Sequence, residues 1–129
     1  VYGLDGDERI LSKARQKADA AGAEINFTRA FSTAMPYPDE FFDCVVTSLF
    51  FHHLTGENKK KTLLEILRVL KPNGRLHIAD WDKPANFLMK LVQQPVMWLD
   101  DATTRDSFQG KLPMFAREAG FADVTETAK

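Results

Sequence analysis

Val1-Tyr2-Gly3-Leu4-Asp5 opens the chain, and a helical pattern follows at once from Asp7. A short apolar run, an acidic residue and then a helix is how a nucleotide-binding α/β fold presents the carboxylate that takes the ribose hydroxyls. In such folds a glycine-rich phosphate loop lies about 20 residues before that carboxylate. Here only four residues precede Asp5, and the seven glycines (Gly3, Gly6, Gly22, Gly56, Gly74, Gly110, Gly120) form no Gly-x-Gly pair. The expectation is a chain that begins inside a fold, after its first strand and phosphate loop.

Working outward, strand and helix patterns alternate, which predicts a parallel sheet covered on both faces. Residues 1–4 read as a buried strand. Residues 7–21 read as a helix: Ile10, Leu11, Ala14, Ala18 and Ala21 recur at helical spacing, and Gly22 supplies the stop. A short strand is predicted over 24–28, and Met35-Pro36-Tyr37-Pro38-Asp39 is a turn-rich loop. Residues 41–48 form a near-continuous apolar run, as in the centre of a parallel sheet, with Cys44 as a buried thiol. A helix over 58–70 turns Leu63, Leu64, Ile66, Leu67 and Leu70 inward, and Lys71-Pro72-Asn73-Gly74 ends it. Residues 75–79 form the next strand and deliver Asp80 at its carboxyl end. Residues 85–99 hold too many apolar side chains for one helix face, and Pro95 divides them into two short helices. A last helix spans 113–119 with Gly120 as its cap. A final strand is predicted over 121–127.

Composition narrows the function classes. A chain of 129 residues is one domain with room for a core. Its 44% hydrophobic and 27% charged content is that of a soluble globular protein. A net charge of -1 predicts no attraction to nucleic acid or anionic membrane, which leaves a small molecule or a protein as partner. Lys59-Lys60-Lys61 reads as a solvated helix start. The single cysteine builds no disulfide framework, so a cytoplasmic location is expected. No apolar run reaches the roughly 18 residues of a membrane span, and no signal peptide is visible.

Five stretches carry a family likeness: Gly3-Leu4-Asp5; Met35-Pro36-Tyr37-Pro38-Asp39-Glu40-Phe41-Phe42-Asp43-Cys44-Val45-Val46; Leu49-Phe50-Phe51-His52-His53-Leu54; Arg68-Val69-Leu70-Lys71-Pro72-Asn73-Gly74-Arg75-Leu76; and Ala119-Gly120-Phe121. In this order and spacing the chain resembles a class I S-adenosylmethionine-dependent methyltransferase of the small-molecule, quinone-biosynthesis-like group. The resemblance implies a Rossmann-like three-layer α/β sandwich with a mostly parallel sheet, lacking its first strand and its last. It implies one partial domain over 1–129 with a variable substrate-lid segment at 84–108. S-adenosylmethionine, or S-adenosylhomocysteine after transfer, is the implied cofactor.

The implied cofactor residues are Asp5 with Gly6 at the ribose, Phe31 and Ser32 at the adenine, and Ser48, Leu49 and Phe50 at the methionine part. Against the ribose role stands the plain one of Asp5 as a helix N-terminal acid. Phe31 departs from the family, which places an acid there; a phenyl ring covers adenine but accepts no bond from its amino group. His53, and after it His52, are candidate general bases, with a loop-capping role as the alternative. His77 reads as structural or surface. Asp80 either orients substrate or caps the next turn. The Phe87–Leu99 region, with Met89, Met97 and Trp98, suits a hydrophobic acceptor or plain core packing. No metal site is expected: the His52-His53 pair and Asp80 could converge, but adjacent histidines on one loop are not a metal spacing.

The implied function is methyl transfer to oxygen, nitrogen or carbon of a small molecule. A non-catalytic methyltransferase-like module that assembles with itself or a partner is a second reading, and a nicotinamide-dependent oxidoreductase a third. Without the first strand, two edges in mid-sheet need repair. Either residues 1–4 close directly onto 41–48, or a second chain supplies edges as a homodimer or by strand exchange.

Overall fold

The computed structural model describes residues 1–80 and 111–126. The chain divides into two compact units, Val1–Pro38 and Asp39–Lys129.

In the first unit, β1 (Tyr2–Asp5) leads through α1 (Glu8–Ala20) to β2 (Asn26–Arg29). The strands pair in parallel, with Tyr2 opposite Asn26 and Asp5 opposite Arg29. α1 starts where Asp7, in extended conformation, accepts the Arg9 amide at 2.8 Å, satisfying one of the donors a helix start leaves unpaired. Leu11 and Ala18, two turns apart, form the buried stripe, while Ile10 lies exposed beside them. β1 is not the buried strand expected: Val1 and Tyr2 are exposed. Among the described residues it has a single ladder partner, so one flank of the strand is open.

In the second unit, β3 (Phe42–Ser48) is followed by a 3-10 turn (Phe51–His53), α2 (Gly56–Val69), β4 (Leu70–Ala79) and α3 (Leu112–Ala119). β3 and β4 pair in parallel, from Cys44 opposite Arg75 to Ser48 opposite Ala79. α2 begins earlier than the sequence pattern suggested, because the Thr55 hydroxyl accepts the Asn58 amide at 3.2 Å and caps the helix. Its inward stripe is Lys59, Thr62, Leu63, Ile66 and Val69. Leu64 and Leu67, expected inside, lie off that stripe and are exposed. Phe51, Leu70, Phe115 and Ala116 complete this core. α3 ends as expected, with Gly120 in the left-handed region (φ 113°).

The Lys71–Gly74 stretch does not form a turn between α2 and β4. The helix passes straight into extended backbone at Leu70 (φ -77°, ψ 135°). Its last carbonyls are satisfied from the segment before β3: Glu40 N–H donates to Arg68 O at 2.9 Å and Phe41 N–H to Val69 O at 2.8 Å. The turn residues instead make a bulge inside β4. Leu70 pairs with Phe42 and Arg75 with Cys44, so Asp43 alone faces Lys71, Pro72, Asn73 and Gly74. Asn73 takes a left-handed φ of 66°, which asparagine tolerates. Lys71 closes the bulge on Asp43 at 2.8 Å.

Three further expectations are corrected. Cys44 is exposed, not buried. It shares a face of β3 with Val46 and Ser48, also exposed, while Val45 and Thr47 on the other face are half-buried. Among the described residues the strand is thus covered on one face only. Residues 121–126 form no strand; after Gly120 they run without a ladder, tied by Phe121 N–H to Ala116 O at 3.1 Å. Among the described residues β1 pairs with β2 and β3 with β4, in place of the expected ladder between 1–4 and 41–48. The expected lid at 84–108 and the break at Pro95 lie outside the described residues.

Candidate functional site

Ligands in open α/β sheets bind outside the carboxyl ends of the strands. Both units bring sequence-selected residues to such ends.

In the first unit β1 ends at Asp5. Its carboxylate accepts the Asp7 amide at 2.7 Å and its carbonyl accepts the Ala30 amide at 3.1 Å, so the end of β1 is tied to the segment leaving β2. The Arg29 guanidinium donates to Gly6 O at 3.3 Å. Phe31 lies over Gly6: a Cβ built there would stand 3.1 Å from the Phe31 ring. That ring is otherwise open, 74% exposed, with Ser32 half-buried beside it. Asp7, two residues on from Asp5, is occupied differently. Its bonds to the Arg9 side chain and amide hold its carboxyl down at about 2.

In the second unit Ser48 ends β3, exposed. Leu49 takes a left-handed φ of 50°, with its amide donating to Ala79 O at 2.7 Å. A leucine held there stores strain of about 1–2 kcal/mol. The next residues converge on Asp80, just past β4. Its Oδ2 accepts the amides of Phe50 at 2.9 Å and Phe51 at 2.5 Å, and its Oδ1 meets His52 Nδ1 at 2.6 Å. The Asp80 side chain is 3% exposed and that of His52 11%. A carboxylate so buried needs these donors to offset its desolvation.

The two catalytic candidates are placed differently. Asp80 is joined to His52. His53 is exposed and touches the site through its neighbour, the two imidazole rings stacking 3.9 Å apart at 44°. His77 is exposed on β4. The sequence allowed the His52-His53 pair and Asp80 to converge; it is His52, 28 residues away, that meets Asp80. The signal for Asp80 was an acid placed just after a strand. Among the described residues no group of three or more His, Cys, Asp or Glu is placed to hold a metal ion. No helix among them is long and apolar enough to cross a membrane. A concavity lined by Arg15, Asp19, Asn26 and Phe27 lies at the amino end of β2, away from the ligand edge.

Comparison with known proteins agrees with this geometry. The family described as methyltransferase domain matches residues 1–78. Demethylmenaquinone methyltransferase of Thermus thermophilus is 37% identical over 92 residues, covering 71% of this chain and 41% of that protein. Ubiquinone/menaquinone biosynthesis C-methyltransferase of Pectobacterium atrosepticum is 38% identical over 82 residues, covering 62% and 32%. The crystal structure of a candidate methyltransferase of Bacillus halodurans superposes with a TM-score of 0.76 at 26% identity, covering 94% of this chain and 52% of that one. The chain spans half or less of the length of the curated relatives it matches. Strand-end acid, parallel pairing and matched sequence together place the chain in the class I methyltransferase domain family, with a Rossmann-like α/β fold and S-adenosylmethionine as the cofactor that membership implies.

Proposed function

We propose that this chain contributes to methyl transfer from S-adenosylmethionine to a carbon, nitrogen or oxygen atom of a small molecule. The observation that carries the reading is Asp5: a half-buried carboxylate at the carboxyl end of a parallel strand, with an exposed aromatic ring at the adjoining Gly6. These residues fit the group. A carboxylate can take two ribose hydroxyls in charge-assisted bonds. Phe31 offers a face to adenine but no acceptor, so the adenine edge relies on Ser32 or backbone carbonyls. Family membership assigns the methionine part to the backbone of Ser48, Leu49 and Phe50.

The cofactor supplies the electrophilic methyl group when bound. The residues contribute by holding the reactants in line, where orientation alone is worth several kcal/mol of barrier. A proton acceptor is needed only if the methyl acceptor must lose a proton, and the histidines after β3 supply one. The acceptor is a small molecule, supported by the quinone-biosynthesis names of the relatives. Calorimetric titration with S-adenosylhomocysteine, with NAD as the contrast, tests the reading. Saturable binding of the first and none of the second is expected; the reverse would move the chain to the oxidoreductase reading.

A second reading, a module that assembles with itself or a partner, draws support from Val46, 70% exposed on the open face of β3. Concentration-dependent size in solution, without S-adenosylhomocysteine binding, would favour it.

A further inference from the structure

We infer that Asp80 is the positioning residue of the cofactor edge, fixing both the backbone after β3 and the tautomer of His52. The inference rests on the reading just given.

Three observations converge. Leu49 sits in a left-handed conformation that a leucine keeps only when its surroundings impose it. The imposing contacts are close at hand: the Leu49 amide is held by Ala79 O, and the next two amides by Asp80 Oδ2. The backbone proposed to meet the methionine part is thus shaped by one buried side chain from the neighbouring strand. The other oxygen, Oδ1, has His52 Nδ1 at 2.6 Å. With the Asp80 carboxyl serving as acceptor for two backbone amides, we assign the hydrogen to His52 Nδ1, which donates to Oδ1. In the neutral ring Nε2 is then the acceptor nitrogen. The histidine with a fixed proton acceptor is therefore His52, not the exposed His53.

Asp80→Asn separates this role from plain packing. The asparagine oxygen would stay with the Phe50 and Phe51 amides, which turns its NH2 towards His52 Nδ1. That nitrogen must then accept, and the ring proton moves to Nε2. Nitrogen-15 NMR of the histidines reads this directly. Expected are a protonated Nδ1 at His52 in the wild type, a protonated Nε2 in Asp80→Asn, and weakened hydrogen-bond shifts at Phe50 and Phe51. S-adenosylhomocysteine affinity should fall roughly tenfold, the scale of losing a charged partner. His77→Gln, at an exposed position of β4, should leave both readouts unchanged.

An unprotonated Nδ1 in the wild type overturns the inference, whether or not the variant folds. So does an unchanged tautomer in Asp80→Asn, or affinity within twofold of wild type. If the wild type binds no S-adenosylhomocysteine, the proposed function fails for this chain, and the nitrogen-15 spectra still decide the role of Asp80.

Discussion

Replacing Gly74 with alanine should cost stability. A Cβ at this position would stand 2.9 Å from the Lys71 carbonyl oxygen, 3.0 Å from Leu70 Cδ2 and 3.3 Å from the Asp43 carbonyl oxygen. Two of these three are backbone atoms of the bulge and of β3 and cannot swing aside. The third belongs to Leu70, 5% exposed in the core, with little room to turn. Forcing a methyl group into packed surroundings costs about 1–3 kcal/mol. Against this, alanine restricts the unfolded chain and returns about 0.4–1 kcal/mol. The balance is a destabilisation of about 1–2 kcal/mol. With a urea slope of about 1–3 kcal/mol per molar for a small protein, the midpoint should drop by roughly 0.5–1 M. Urea unfolding followed by tryptophan fluorescence and by far-ultraviolet circular dichroism would measure it. A midpoint equal to or above that of the wild type would refute the claim that the bulge closes on Asp43 too tightly for a side chain.

Three other outcomes are expected of the same structure. Ile66→Ala should cost about 2–5 kcal/mol, since Ile66 is fully buried, and Leu64→Ala under about 1 kcal/mol, since Leu64 is 55% exposed; equal costs in urea unfolding would contradict the assigned face of α2. Leu49→Gly should be neutral within about 1 kcal/mol, because relief of the left-handed strain offsets the entropy of glycine and the loss of a side chain that is 56% exposed; a loss above about 2 kcal/mol in the same assay would show no strain to relieve. The Asp7 carboxyl, lowered from 3.8 to about 2 by Arg9, contributes to α1 above about pH 4 and loses that contribution as pH falls towards 2; an NMR titration midpoint near 4 would contradict the Arg9 pairing.

Much of the fold was legible because its signals are local. α1 showed through its apolar spacing and the acid at its start, and α3 through Gly120, whose φ of 113° suits glycine. The family likeness followed from short stretches in fixed order. What failed depended on partners distant in the chain. Apolarity of the 41–48 run could not tell a strand buried on both faces from one open at Cys44 and Val46. The Lys71–Gly74 composition announced a turn, yet only pairing with Asp43 made it a bulge. In α2 five apolar residues crowd a 14-residue helix, and burial of Lys59 and Thr62 rotates the inward stripe away from Leu64 and Leu67.

The site divides the same way. Asp5, Gly6 and Phe31 come from segments joined by one helix, and their juxtaposition could be anticipated from strand–helix–strand order. The Asp80 cluster was legible only as a convergence of His52, His53 and Asp80, not as the pairing itself. Its bonds cross 28 to 30 residues, and its strained member, Leu49, has no signature in composition. An acid after a strand gave equal warrant to a turn cap and to a substrate ligand. The buried geometry shows it gripping the loop after β3.

The most direct test of the central claim is nitrogen-15 chemical-shift mapping of the chain during titration with S-adenosylhomocysteine. The account predicts saturable changes at Gly6, Phe31 and Ser32, and at Ser48, Leu49 and Phe50. Changes confined to the concavity around Arg15 and Asn26, or none at millimolar ligand in a folded protein, would contradict it.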